Sequence, residues 1–349
     1  MHGLIEKLRC YSLLSTRYSL LSFLLLVPPL QATQPEPTPP ANAIASAHPL
    51  ATSAGIEVLQ QGGNAFDAAV TVTAVLAVVE PYSSGIGGGG FYLLHRQRDN
   101  FQTMLDARET APLAASRDMY LDEEGKLSKD SLEGPLSAGI PGIPAALVHL
   151  AKNYGNLPLQ QTLAPAIKLA REGFAVDDYY RRMAGMRLSL LQRYPATSQI
   201  FLHNNAVPEN GYLIRQIDLA NTLELIAQTS GEAFYSGKIA QQMVAEVSRA
   251  GGIWTAKDLE TYKLKEREPI RGQYRGWTIT SAAPPSSGGI ALVTMLNILE
   301  PFDLGNMEEA ERIHTIVEAM RLAYRDRAQF LGDMDFVKVP VKQLLSRVH

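Results

Sequence analysis

The chain has 349 residues, 46% hydrophobic and 19% charged, so it can bury a large core as one big domain or two ordinary ones. Its formal net charge is −3 and it has no run rich in lysine and arginine, which argues against nucleic acid as a partner. Cys10 is the single cysteine, which excludes an intrachain disulfide and a cysteine-based metal site.

The N-terminal segment has the pattern of a secretory signal peptide. Lysine and arginine residues precede a short apolar run at 19–27, and small residues follow up to Ala32. A membrane span needs about 20 apolar residues, so no stable span is expected, and an uncleaved anchor is the alternative. We therefore predict a periplasmic or secreted protein with a signal peptide at 1–32, a proline-rich linker at 33–43 and a folded domain at 44–349. Cleavage after Ala43 is equally compatible with the pattern.

The first predicted elements of the domain are two helices followed by two strands. Asn64 can cap the second helix, which is apolar on all sides and therefore predicted to be buried. The two strand-like runs are joined by a polar turn, which favours antiparallel pairing. These elements are helices at 51–61 and 65–79 and strands at 91–95 and 101–106.

From Pro144 onward the pattern is mainly helical, interrupted by a pair of strands at 270–274 and 277–281. Strands and helices are segregated along the chain, which predicts an α+β fold rather than alternating βαβ units. The predicted helices lie at 144–154, 159–172, 177–194, 213–228, 237–250, 256–262, 288–301 and 308–331.

A glycine-rich run, Ser83–Gly90, ends in four consecutive glycines. Such a cluster marks either a close approach of two backbones or a loop that shapes a ligand pocket. A phosphate-binding loop is disfavoured, because no Lys-Ser/Thr pair follows and the run leads into a strand.

Arg108 follows the second predicted strand and is the main candidate for ligand binding. A guanidinium presents a planar fork of donors that matches a carboxylate. The structural alternative is a salt bridge to its neighbours Asp106 or Glu109.

Other polar residues are assigned structural roles. Ser286 or Ser287 is predicted to cap the helix that follows, although a helix N-terminus can also hold an anion. The charged residues of helix 308–331 are interpreted as a solvated, salt-bridged face. The histidines do not cluster, so no metal and no cofactor is expected.

Seven segments, in this order, resemble the gamma-glutamyltranspeptidase (glutathione hydrolase) family. The resemblance runs from about Ile44 to the end of the chain, and the ordered set is far more specific than any single segment. The segments are Ala47–Ala51, Gly62–Val70, Ser83–Gly90, Asp106–Pro112, Gly139–Gly142, Pro284–Gly289, and Tyr324–Arg327 together with Leu331–Val337.

The resemblance implies an N-terminal-nucleophile hydrolase fold, a four-layer αββα sandwich of which this chain is the large-subunit part. Members of the family cut themselves into two subunits, and the new N-terminal threonine of the small subunit attacks a γ-glutamyl amide, with its own amine as the base. The acyl group then passes to water or to an amino acid. The expected partners are therefore glutathione, other γ-glutamyl compounds and a small subunit.

The resemblance assigns one substrate-binding residue, because the arginine of the family's D-x-R-E-x-A-P segment grips the glutamyl α-carboxylate. That position is Arg108, and the glycine run is expected to form the large-subunit wall of the same pocket. The family's nucleophile lies in a Thr-Thr-His segment that the sequence does not contain before its end at His349. No catalytic residue is therefore assigned, and the chain alone is expected to be inactive.

Two other functions stay open at this stage. One is a non-catalytic subunit that binds γ-glutamyl ligands or another protein. The other is a relative of the enzymes of the same fold that deacylate cephalosporins, which substrate preference would reveal.

Overall fold

The computed structural model describes residues 42–348. The predicted signal peptide and all but the last two residues of the linker lie outside the described residues. One compact unit extends from Ile44 to His349. Within the described part of the chain, no helix is both long enough and apolar enough to cross a membrane.

The secondary structure is mixed, and most of it is helical. Short 3-10 turns lie at Gln97–Asp99, Lys129–Ser131 and Pro135–Ser137. The strands are β1 (Gly90–Arg96), β2 (Phe101–Ala107), β3 (Phe174–Ala175), β4 (Leu213–Ile214), β5 (Lys265–Arg267), β6 (Ile270–Tyr274) and β7 (Trp277–Ser281). The helices are α1 (Pro49–Gln60), α2 (Ala65–Val79), α3 (Ile143–Asn153), α4 (Leu159–Glu172), α5 (Asp178–Met186), α6 (Leu188–Arg193), α7 (Pro195–Phe201), α8 (Ile217–Thr229), α9 (Glu232–Tyr235), α10 (Lys238–Arg249), α11 (Ala256–Glu260), α12 (Gly288–Leu299), α13 (Glu309–Phe330) and α14 (Val341–Leu344).

Helix α2 begins at a complete capping box, which confirms Asn64 as its cap. The Asn64 Oδ1 atom accepts hydrogen bonds from the N–H groups of Phe66 and Asp67, and the Asp67 carboxylate accepts from the Asn64 N–H. The Asp67 side chain is fully buried and also accepts from the N–H groups of Asn156 and Leu157. This one carboxylate therefore joins the start of α2 to the turn that precedes α4.

The central sheet has the order β1-β2-β5, with both pairs antiparallel. Neighbouring residues of β2 face opposite sides of the sheet. Leu105 is buried in a core formed largely by α2, α3, α4 and α8, whereas Met104 is buried in a second core with Ile270 of β6 and Ile290 of α12. Helix α13 packs on the far side of α12. The layers thus follow the order helices, sheet, β6–β7 hairpin, helices, as expected for an α+β protein.

The two predicted strand pairs are confirmed, with Gly90–Arg96 paired to Phe101–Ala107 and Ile270–Tyr274 paired to Trp277–Ser281. Each connection is a short local turn, which the sequence marks clearly.

Two helix predictions are wrong in their bounds. The predicted helix 177–194 is two helices, which meet at Arg187. The predicted helix 213–228 begins only at Ile217, because Leu213 and Ile214 pair with β3 as strand β4. That pairing joins segments about 40 residues apart in sequence, and periodicity within one segment cannot reveal it.

Candidate functional site

Arg108 lies directly after β2, at the mouth of an open cavity of about 450 Å³. The lining combines residues that are far apart in sequence and carries both positive and negative charge. It consists of Phe91, Asp106, Arg108, Glu109, Thr110, Lys263, Lys265, Arg267, Pro285, Ser286, Ser287, Asp333 and Asp335.

The Arg108 side chain is available to a ligand. It is 52% exposed, and its Nε atom lies 3.3 Å from Glu109 Oε2. Its guanidinium carbon is 6.0 Å from the centre of the Phe91 ring. Within the described residues its terminal nitrogens donate no hydrogen bond. The salt bridge to Glu109 does form; Glu109 is 28% exposed, and its Oε2 atom is buried and accepts no hydrogen bond from the described residues. At 3.3 Å the contact is longer than a charge-assisted hydrogen bond, so a ligand carboxylate can compete for the guanidinium.

The main chain of Arg108 is fixed on both sides. Its N–H donates to Asp106 Oδ1 at 3.1 Å, and its carbonyl accepts from the Tyr262 hydroxyl at 3.0 Å. The Tyr262 ring stacks on Tyr235 with centres 5.5 Å apart. Burial, reinforced by the charges of Asp106 and Glu109, raises the pKa of Tyr262, so the hydroxyl remains a donor at neutral pH.

The glycine run packs on Ala107 and Glu109, which flank Arg108, and it is not among the residues that line the Arg108 cavity. This cavity therefore gives no support to the expected role of the run as a pocket wall. A Cβ on Gly89 would lie 2.5 Å from the Ala107 carbonyl oxygen and 2.6 Å from the Glu109 nitrogen. A Cβ on Gly139 would lie 2.8 Å from the Cβ of Glu109. The glycines of this run thus allow two backbone segments to approach closely. The run also lines a second cavity of about 440 Å³, which Glu109 lines as well.

An ion cluster next to Arg108 also lines this cavity. The Arg267 Nε atom lies 2.8 Å from Asp106 Oδ2, and its Nη2 atom lies 2.7 Å from Asp335 Oδ2. Lys265 also pairs with Asp335. Hydrogen bonds from Arg267 and then Lys265 hold the pKa of Asp335 well below its usual range, and the pKa of Arg267 is raised by Asp335 and Asp106.

The serines before α12 lie at the rim of the cavity. Ser286 accepts from the Gly288 N–H at 3.3 Å, but it lies before the N-cap position, and α12 has no side-chain capping hydrogen bond, so the predicted serine cap does not form. Ser287 occupies the N-cap position, but its hydroxyl accepts from Arg327 Nε at 3.0 Å instead. Asp326, the neighbour of Arg327 on α13, is buried. Arg327 itself is exposed, so the interpretation of this charged face as solvated is wrong at Asp326 only.

Sequence reasoning assigned no role to Arg267, Lys265, Asp335 or Tyr262. Two of them lie on β5, a three-residue strand that pairs with β2 across a separation of about 160 residues. All three residues of this strand are charged, so it lacks the apolar and polar alternation that indicates a strand, and three residues are too few to identify one. Across residues 42–348, no group of three or more histidine, aspartate or glutamate side chains is arranged to hold a metal ion.

The fold and the cavity define an α+β protein in which an exposed arginine lines a charged cavity. The profile of the gamma-glutamyltranspeptidase family matches residues 51–349. The chain belongs to the gamma-glutamyltranspeptidase family.

Individual relatives agree with this assignment. The chain is 41% identical over 310 residues to the glutathione hydrolase proenzyme of Escherichia coli, a match that covers 88% of this chain and 53% of the relative. It therefore spans about half the length of the curated relatives it matches.

Solved structures share the fold. The gamma-glutamyltranspeptidase of Helicobacter pylori superposes with a TM-score of 0.86 at 39% identity, covering 89% of this chain and 90% of that one. A cephalosporin acylase from Bacillus halodurans superposes with a TM-score of 0.76 at 30% identity, covering 90% of this chain and 61% of that one. These likenesses confirm the predicted N-terminal-nucleophile hydrolase fold and the large-subunit part of it.

Proposed function

We propose that this chain is the large-subunit part of a gamma-glutamyltransferase that cleaves glutathione and other γ-glutamyl amides. The observation that carries the proposal is the Arg108 guanidinium, which is exposed to the cavity while its main chain is held on both sides. An arginine fixed in this way suits the α-carboxylate of a γ-glutamyl group.

The contribution of this chain is substrate binding and orientation. The incoming α-carboxylate replaces the weak contact between Arg108 and Glu109 and receives two parallel hydrogen bonds from the guanidinium. Holding that end of the substrate fixes the position of the γ-carbonyl, which lowers the entropic cost of reaction. The nucleophile, an N-terminal threonine in the family, is supplied by the small subunit.

The proposed location and the proposed partner rest on the N-terminal sequence pattern and on the relatives. The signal-like pattern at 1–32 supports export to the periplasm or the medium. The relatives described as proenzymes support a small subunit that comes from the same precursor. A small subunit encoded as a separate chain is the alternative arrangement.

The direct test measures hydrolysis of γ-glutamyl-p-nitroanilide by this chain with and without its small subunit. We expect turnover only when both are present, because no nucleophile is assigned within this chain. Turnover by the purified 349-residue chain alone would contradict the division of roles proposed here.

Arg108→Lys tests the binding role in the two-subunit protein. We expect the KM for the γ-glutamyl anilide to rise at least about tenfold with a smaller change in kcat, because a lysine cannot form the bidentate pair. Arg98→Lys, in the exposed turn between β1 and β2, is the matched control and should leave both constants unchanged. An unchanged KM in Arg108→Lys would return Arg108 to a structural role.

The acylase relatives favour one alternative, a related deacylase, since the acylase ACY 1 proenzyme of a Pseudomonas strain is 37% identical over 311 residues. A glutaryl amide separates the two functions, because it keeps a carboxylate but lacks the α-amine. Preference for the γ-glutamyl compound supports the transferase, and preference for the glutaryl compound supports the acylase.

A further inference from the structure

We propose that Arg267 is a positioning residue for Arg108 and that it acts through the carboxylate of Asp106. The inference rests on the proposed function, because it concerns how the ligand-binding arginine is held. It assigns a role to a residue that lies on a different strand and does not bind the substrate itself.

The geometry begins with the register of β5 on β2. Met104 lies opposite Arg267, so Arg267 and Asp106 project from the same face of the sheet as diagonal neighbours. Arg267 Nε binds Asp106 Oδ2 at 2.8 Å, and the other oxygen, Oδ1, accepts the Arg108 N–H at 3.1 Å. A single carboxylate therefore bridges the Arg267 side chain and the Arg108 main chain.

Burial makes this bridge effective. The side chains of Asp106 and Arg267 are 8% and 13% exposed, so water screens their attraction only weakly. Without Arg267, the Asp106 carboxylate would be nearly buried and unpaired, a state that is unfavourable for a charge. The carboxylate would then turn towards water, and its hydrogen bond to Arg108 would weaken.

Asp335 fixes the other edge of the Arg267 guanidinium. Arg267 Nη2 lies 2.7 Å from Asp335 Oδ2, and Lys265 pairs with the same carboxylate. Arg267 is thus occupied on two sides, whereas Arg108 is half exposed and has terminal nitrogens available to a ligand. The two arginines lie in one cavity, but only Arg108 is placed to bind a carboxylate from solution.

The kinetic test uses the two-subunit protein with γ-glutamyl-p-nitroanilide. We expect Arg267→Gln to raise KM about tenfold while kcat changes much less, because the substrate contact survives on a displaced Arg108. Arg267→Lys keeps the charge and should recover part of the loss. Arg271→Gln, an arginine on β6 that does not contact Asp106, is the matched control and should behave as the wild type.

A double variant separates indirect from direct action. If Arg267 acts through Arg108, then Arg267→Gln combined with Arg108→Lys should raise KM by little more than Arg108→Lys alone. Fully multiplicative effects would overturn the proposal, as would a wild-type KM in Arg267→Gln.

Hydrogen exchange supplies a readout that does not depend on turnover. In Arg267→Gln, the Arg108 amide should exchange at least about tenfold faster, whereas amides within α4 should not change. Unchanged exchange at Arg108 would overturn the proposal. If the wild-type protein has no γ-glutamyl activity, the proposed function fails, and the exchange rates still decide whether Arg267 positions Arg108.

Discussion

Arg108 and Arg267 carry the same charge in the same cavity, but their surroundings give them different roles. Arg267 is 13% exposed and bound by two aspartates, while Arg108 is 52% exposed and has one weak partner. A nearly buried ion pair with two short contacts costs more to break than a single longer contact to a half-exposed arginine. The function of each arginine therefore depends on the solvent exposure and partners of its guanidinium.

The low pKa of Asp335 predicts a dependence of stability on acid pH. Arg267 and Lys265 hold the folded-state pKa below the unfolded value, so the carboxylate contributes stability above about pH 4, and this contribution disappears as the pH falls through the folded pKa. We expect the unfolding free energy of Asp335→Asn to fall less steeply below pH 4 than that of the wild type. Urea titrations between pH 5 and about pH 2 measure this difference.

Asp118→Asn is the control for that experiment. Asp118 is 71% exposed and lies 3.8 Å from Arg117, so its removal should leave the pH dependence unchanged. An Asp335→Asn curve parallel to the wild-type curve would show that the ion cluster does not stabilise the fold.

At the scale of elements, the segment after β2 is held by glycines on neighbouring loops. Gly89 packs against Ala107 and Glu109, and the Gly88 carbonyl accepts hydrogen bonds from the N–H groups of Gly142 and Ile143 at the start of α3. A side chain at Gly89 or Gly142 would collide with the Ala107 carbonyl and push the loops apart. The glycine run therefore sets the distance between β1, α3 and the Arg108 segment.

Gly89→Ala should destabilise the protein by about 2 kcal/mol, because the added methyl group collides with backbone atoms that cannot move independently. Gly87→Ala is a matched control two residues away, where a Cβ would meet no atom within 4 Å. It should be neutral or slightly stabilising, since alanine restricts the unfolded chain. Denaturant unfolding measures both, and equal stabilities would refute the packing role of Gly89.

At the scale of the whole molecule, α13 presents an apolar stripe to solvent. Ile313, Val317, Met320 and Tyr324 are each between 43% and 55% exposed and recur at helical spacing on one face. Exposed apolar stripes of this kind mark surfaces that associate with other chains. The stripe is consistent with the proposal that this chain is one part of a larger assembly.

This exposure predicts that the isolated chain binds a hydrophobic dye and associates as its concentration rises. Val317→Lys combined with Met320→Lys should reduce both effects, because two charges interrupt the stripe. Gln329→Lys lies on another face of α13 and serves as the control. Dye fluorescence and light scattering test this, and an unchanged double variant would show that the stripe is not responsible.

The sequence by itself determined the α+β class, the β1–β2 and β6–β7 hairpins and the cap at Asn64, because each depends on residues close together in the chain. It also selected Arg108 through a local motif. Only the tertiary structure decided that Asp106 binds Arg267 and that Gly89 is not among the residues that line the cavity. Those contacts join β5 to β2 and one loop to another, and no local pattern encodes a pairing between segments so far apart.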